Sequence, residues 1–333
     1  MARNNTLRNS LPGLGLVVAS MLPAVLSSAP GVVAPPKPPV VQKGVKAFSI
    51  PVSNLRDWAA AVVVTVEGVR VEGRSNVHAL DADCEIHFGA HASSFQGEPD
   101  GLVLEPMNAC VQPFPGQPEQ KNADWTKFGD QIKGLTVTAS GVPRIWPEHL
   151  NGGGASNPDH AVELHPLTSV VSAGQTFDFA PNVFAGDFRG GVGEPTALNI
   201  LRQTTVSVTR DGDSVDVSFR AGTIGNFTVL DIIIDRNSIA SDDAGSFRMD
   251  GEVAVDDSST VPVRIVTVRG SPVNDEIQKI KSRRRRAQIN MTALVLFSLS
   301  PESLLDAAKK SNGSAVPVER PIQLILYGPP SSD

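Results

Sequence analysis

The sequence predicts an all-β protein: a small five-stranded barrel with one helix, followed by a β-sandwich-like unit with one or two short helices. Three observations carry that prediction. β-branched segments with period-two alternation recur between residues 59 and 327, and that period marks half-buried strands. Turn residues separate them, most clearly Asp211-Gly212 between two alternating runs, a strong hairpin signal. The 333 residues suit two cores, at about 100–200 residues per domain. At 41% hydrophobic and 19% charged the chain is too apolar to be disordered, and no uninterrupted apolar stretch is long enough for a membrane span. Aromatics at 5% exclude a surface built on many stacking rings, and two cysteines exclude a disulfide scaffold or a four-thiolate zinc site.

Residues 1–56 carry six basic and no acidic side chains. Arg3 and Arg8 precede the apolar run Leu11–Leu26, and Ser27-Ser28-Ala29 supplies small residues at its exit. This is the anatomy of a secretory signal, so residues 1–29 are expected to be a signal peptide and the protein exported to periplasm, cell envelope or medium. An uncleaved tail or anchor is the alternative, although Pro12 and Pro23 suit a spanning helix badly. The cleavage point stays open because Pro30 follows Ala29. Residues 30–54, opening with the Pro-rich stretch Pro30–Pro39, are expected to form an extended linker.

Residues 55–172 are expected to form the barrel. Ala59–Val71 is a long β-branched run with Gly68 inside it, and a strand glycine marks a bulge or bend. Ala82–Phe88 alternates, with Cys84, Ile86 and Phe88 on one face and Asp83, Glu85 and His87 on the other. Leu102–Leu104 is a short partner. Asn122–Ile132 places Trp125, Phe128 and Ile132 at helical spacing. Leu135–Val142 and Ala161–Val171 complete five strands, with the helix before the fourth. That is the order of an oligonucleotide/oligosaccharide-binding (OB) barrel. Cys84 and Cys110 are expected to pair in an oxidising compartment. Trp58, Trp125 and Trp146 read as core or barrel-mouth packing.

The segments VEGRSNVHALDADCEIHFGA, MNAC, GLTVTASGVPRIWPEH and HAVELHP resemble a domain of uncharacterised exported bacterial proteins. Those domains are similar to the OB-fold of the thermonuclease type, with an E-x-H-P element on the last strand. The resemblance covers about a third of the chain and implies a fold more than an activity. Thermonuclease-type chemistry needs carboxylates for calcium and arginines for phosphate, and none of those catalytic residues carries over here. Residues 57–172 carry six basic against fifteen acidic side chains, a balance that repels a polyanion. Nucleic acid is disfavoured as a partner.

All six histidines fall within residues 57–172. Glu85-Ile86-His87 and Glu163-Leu164-His165 repeat one pattern, acid–aliphatic–histidine. On a strand, i and i+2 share a face, so each Glu and His project together. Such groups bind zinc or let a carboxylate orient a histidine base. They also serve as plain hydrogen-bonding rows on outward strand faces. The pattern requires no cofactor; zinc is the one it admits, with His87, His149 and His165 as ligands and Glu85 and Glu163 behind them. No catalytic residue is assigned.

Residues 173–333 are expected to form the sandwich-like unit, with strands at Thr204–Thr209, Ser214–Arg220, Phe227–Ile234, Arg248–Val255, Val261–Arg269, Ile289–Leu299 and Ile322–Tyr327. Ser300-Pro301 starts a short helix by N-cap and N1-proline logic. A second begins at Ser271-Pro272 and turns Ile277 and Ile280 inward. Lys281 and Arg283, Arg284, Arg285 and Arg286 belong to the one strongly basic run, either a solvated helix end or a contact for phosphate, anionic lipid or an acidic partner. Membrane contact is expected only through this run or the signal segment. The leading expectation is an exported, non-enzymatic binding or envelope-associated protein of unidentified ligand. The alternative is a metal-dependent hydrolase built on the histidine–glutamate groups, and a nuclease is the less favoured form of it.

Overall fold

The computed structural model describes residues 44–79, 83–116, 122–186, 191–256, 258–282 and 287–329. The expected signal peptide at 1–29 and Arg283–Arg286 of the basic run lie outside them; Lys281 lies inside. The chain begins with β1 (Gly44–Pro51), a strand within the segment expected to be linker, and α1 (Val52–Ala60). The helix replaces the predicted start of the first strand. Val52, Leu55 and Trp58 recur every three residues and bury one side of it, and this spacing overrides the β propensity of the residues that follow.

β2 (Val64–Arg74), β3 (Phe88–Ala92), β4 (Gly101–Leu104), α2 (Asn122–Ile132), β5 (Thr136–Ile145) and β6 (Val162–Ser172) form the first barrel. β2, β3 and β4 make an antiparallel meander, β5 pairs with β2, and β6 pairs with β5. The barrel closes by a parallel contact of β4 with β6, Val103 opposite Glu163. The register of β2 against β5 shifts between Val66 and Val69, and Gly68 there has φ of +68°. α2 matches its predicted span, with Trp125, Phe128 and Ile132 buried. The predicted strand at Ala82–Phe88 is corrected: regular pairing starts only at Phe88, and Asp83–His87 is a buried loop.

β7 (Gln175–Asp178) extends β6 as a hairpin, so the expected boundary at 172/173 falls in its turn. After α3 (Glu194–Gln203), β8 (Thr205–Asp211) and β9 (Ser214–Ala221) form the predicted hairpin. The chain continues through β10 (Phe227–Asp235), β11 (Ala240–Ser241), β12 (Phe247–Asp256), β13 (Ser259–Thr267) and α4 (Pro272–Ser282). It ends with β14 (Gln288–Leu299), α5 (Pro301–Lys310), β15 (Val316–Pro317) and β16 (Ile322–Gly328). The Ser300 side chain accepts from the Ser303 N–H, capping α5.

This half is β-rich as expected, and its strands take a specific form. β10, β12, β13, β14 and β16 close into a second five-stranded barrel, with a parallel β13–β16 contact and β10 joined to both β12 and β14. β11 pairs with β12 at the edge of that sheet, and β1, β8, β9 and β15 make a separate one in the order β1-β9-β8-β15. Both barrels therefore share one strand order and one helix position, α2 and α4 each lying between third and fourth strands. Two closed five-stranded mixed barrels of this kind are compatible with an OB-like fold.

The barrels pack against each other. Val142, Met107 and Val183 meet Phe227, Leu296, Ile325 and Tyr327 in one apolar cluster. Beside it the Trp146 ring stacks on Phe297, centroids 5.9 Å apart, and its indole N–H donates to the Gly225 carbonyl at 2.9 Å. Among the described residues, no helix is long and apolar enough to cross a membrane.

Candidate metal centre

The barrel–barrel interface buries more than apolar side chains. Glu163 and His165 stand on β6 with Leu164 between them, and Leu164 belongs to the core. Their side chains face away from that core as the alternation predicts. That face does not meet solvent, because the second barrel covers it: the His165 ring lies 5.5 Å from Phe227, and both Glu163 and His165 are at most 1% exposed.

The loop before β3 brings the second group. Asp83, Glu85 and His87 are buried here too, held by the predicted Cys84–Cys110 disulfide. Backbone bonds from Asn108 N to Asp83 O (2.8 Å) and Ala109 N to Cys84 O (2.9 Å) tie the same two segments. Cys84 sits at φ of +50°, a conformation few non-glycine residues adopt. It ends the period-two pattern and turns Asp83 towards β6. Glu105 follows β4 directly and is 2% exposed. The loop at 155–159 lies over β3 and β4: a Cβ on Gly101 would sit 2.1 Å from the Asp159 carbonyl oxygen, and one on Gly89 would sit 2.3 Å from that of Ala155. Glycine at both positions lets this loop approach and carry His160 to Glu163.

Five of the six histidines converge on four buried carboxylates. Asp83 Oδ2 is 2.8 Å from His165 Nε2, and Glu85 Oε1 is 2.8 Å from His87 Nε2. Glu105 places Oε1 3.3 Å from His87 Nε2 and Oε2 2.6 Å from His165 Nδ1. His78 Nδ1 lies 3.7 Å from Glu85 Oε1 at the partly exposed end. At the other end His160 donates from Nδ1 to the Pro158 carbonyl (2.7 Å) and meets Glu163 Oε1 through Nε2 (3.1 Å). Arg144, fully buried, donates to Glu163 (2.5 Å), Glu148 (3.0 Å) and, through Nε, the Phe297 carbonyl of the second barrel (3.0 Å).

The two ends differ in charge. Glu163 is neutralised by Arg144 and His160: burial alone would raise its pKa, and these partners hold it well below the ordinary carboxylate value. Among the described residues, no arginine or lysine forms a hydrogen bond or ion pair with Asp83, Glu85 or Glu105. Burial and the neighbouring Glu85 push the Asp83 carboxyl well up. Burial would lower the His87 imidazolium, but Glu105 and Glu85 outweigh it and raise its pKa from 6.5 to about 10. Asp83 Oδ1, Glu85 Oε2 and His165 Nδ1 are buried without an aligned hydrogen-bond partner, as is the Tyr327 hydroxyl from β16. Burial pushes the Tyr327 pKa up, so the hydroxyl stays protonated there.

A group with a raised folded pKa stabilises the fold fully below its unfolded pKa and loses that contribution as pH rises through the folded value. The stability that His87 lends the metal-free protein is therefore lost progressively as pH rises from about 6.5 to about 10. The thermal midpoint of chelator-treated protein is expected to fall across that window, and less steeply in His87→Gln. A midpoint equally flat in both proteins contradicts the assignment.

The structure thus brings His87, His165, Glu85 and Glu163 into one cluster. His149 sits at its edge, its ring stacked on His160 at 5.1 Å and 6.3 Å from His87. Four ligand-spaced triads overlap along the cluster: His78–Glu85–His87, Asp83–Glu85–His165, Glu105–Glu163–His165 and His149–His160–Glu163. The reading of these groups as outward, solvated rows is corrected, because the second barrel buries them; Glu85 and Glu163 stand within the ligand-spaced triads. Sequence reasoning missed Glu105, Arg144, His160 and Tyr327, and gave His78 no role. The short spacing of His160 to Glu163 was the one local signal available.

Fold and site together define a class: a two-barrel, OB-compatible β protein with a buried histidine–carboxylate centre. No protein-family model matches the chain, and no curated protein matches it in sequence.

Proposed function

We propose that this is an exported, non-enzymatic binding protein whose ligand is a divalent transition-metal ion, zinc being the ion tested first. One observation carries the reading. Asp83 Oδ1 and Glu85 Oε2 are buried acceptors without a donor, on a triad completed by His165. An unpaired buried acceptor costs about 1–3 kcal/mol, more when charged, and a cation removes that cost. Mixed imidazole and carboxylate donors suit zinc, iron or manganese. Glu105 on the far nitrogen of His165 supplies the carboxylate that orients a metal-bound imidazole. The disulfide is compatible with an oxidising, exported location, as is the resemblance to exported bacterial domains.

The burial of the inner triad favours binding over catalysis, because a hydrolase needs a coordination position open to substrate. Cavities of about 500 and 700 Å³ lie instead against the second barrel, lined by residues such as Arg248, Arg264 and Asp250.

Elemental analysis of protein harvested from the exported fraction tests the reading. Stoichiometric zinc is expected, lost in Asp83→Asn and His165→Ala. Affinity should rise with pH, since the ion displaces protons from the imidazoles. Protein that neither carries nor takes up zinc, iron or manganese overturns it. Hydrolysis of an ester panel by the metal-loaded protein would favour the alternative.

A further inference from the structure

From the way the two oxygens of Glu85 face different triads, we infer that the cluster holds a pair of divalent ions bridged by Glu85, an outer ion on His78 and His87 and an inner ion on Asp83 and His165. This rests on the metal-binding reading above.

The two oxygens of Glu85 face different triads. Oε1 lies 2.8 Å from His87 Nε2 and 3.7 Å from His78 Nδ1, while Oε2 lies 3.7 Å from His165 Nε2. Ligand atoms at 2.0–2.2 Å from one tetrahedral zinc stand roughly 3.4 Å apart, close to the 3.7 Å separations to His78 and His165, and the His87 hydrogen bond is the contact that opens when an ion replaces its proton. Glu105 ties the same two histidines together, with one oxygen beside His87 Nε2 and the other on His165 Nδ1, the nitrogen turned away from the inner ion. A carboxylate that gives one oxygen to each ion suits a pair about 3.5–4 Å apart, as in two-metal centres.

Charge points the same way. Asp83, Glu85, Glu105 and Glu163 are buried together, and Arg144 pairs with Glu163 and the partly exposed Glu148. With neutral histidines, one divalent ion leaves one of the three carboxylates not paired to Arg144 uncompensated, and a second ion removes that deficit. The two ends also differ in access, since the inner triad is wholly buried while His78 is about a quarter exposed. The outer ion is therefore the one expected to exchange faster.

The test uses full-chain protein stripped with chelator and dialysed against zinc alone. Two zinc ions per chain are expected, with a zinc–zinc vector of about 3.5–4 Å by X-ray absorption. His78→Ala, at the partly exposed position, should keep its melting profile and bind half as much zinc. Glu85→Gln should lower the affinity of both ions. One zinc per wild-type chain overturns the pair while leaving the single-ion reading intact. No zinc overturns both. Two zinc ions retained in His78→Ala, or no short zinc–zinc vector, overturns the outer site or the bridge.

Discussion

Arg144→Met is expected to destabilise the protein by about 3–5 kcal/mol, the cost of removing one partner from a buried ion pair. Arg144 has no solvent exposure, and its guanidinium joins Glu163, Glu148 and the Phe297 carbonyl. Without it Glu163, 1% exposed, keeps only the imidazoles of His160 and His165 within ion-pair distance among the described residues. The same loss removes a bond that crosses from β5 to β14, where Ile145 N also donates to Ser298 Oγ at 3.1 Å. Denaturant unfolding of single and double variants isolates the cause. Arg144→Met combined with Glu163→Gln should recover much of the loss, because the stranded charge is gone. A single-variant cost below about 1 kcal/mol, or no recovery in the double variant, would contradict the account.

The second large effect is expected from the disulfide. Cys84–Cys110 spans 26 residues, and closing a loop of that length stabilises by about 3–4 kcal/mol in the chain-entropy description. Its position adds a local consequence. Cys84 lies between Asp83 and Glu85, so the bond anchors the loop that aims both carboxylates at β6. Cys110→Ser, or thiol reduction, should therefore lower the denaturation midpoint and remove zinc under conditions where the protein is still folded. Circular dichroism with elemental analysis, read on the same samples, separates the two. Reduced protein with unchanged zinc content would show that the ligands do not depend on this anchor.

Much of the architecture was legible in the chain. The Arg210–Asp213 turn, the α2 span with its three apolar positions, the Ser300 cap and the Cys84–Cys110 pair are local or nearly local features. Each is set by backbone preference, periodicity or the count of cysteines. The first half reads as a five-stranded barrel because its strand and helix order is visible without knowing the pairing. Closure of the second half was not visible. Alternating strands serve a sandwich or a barrel equally well, and the difference lies in β10 meeting β12 and β13 meeting β16. The segment at 44–51 carries too few strand signals to announce that it completes a sheet with β9.

The candidate centre divides in the same way. Sequence alone determined that Glu85 pairs with His87, that Glu163 pairs with His165, and that histidines concentrate in one half of the chain, because those relations depend on spacing and count. Tertiary structure decided that the pairs meet, that Glu105, Arg144 and His160 join them, and that Tyr327 caps the cluster from the other barrel. The physical reason is burial. A strand face reads as outward until another barrel covers it, and only then do lone pairs that water would have satisfied require a partner.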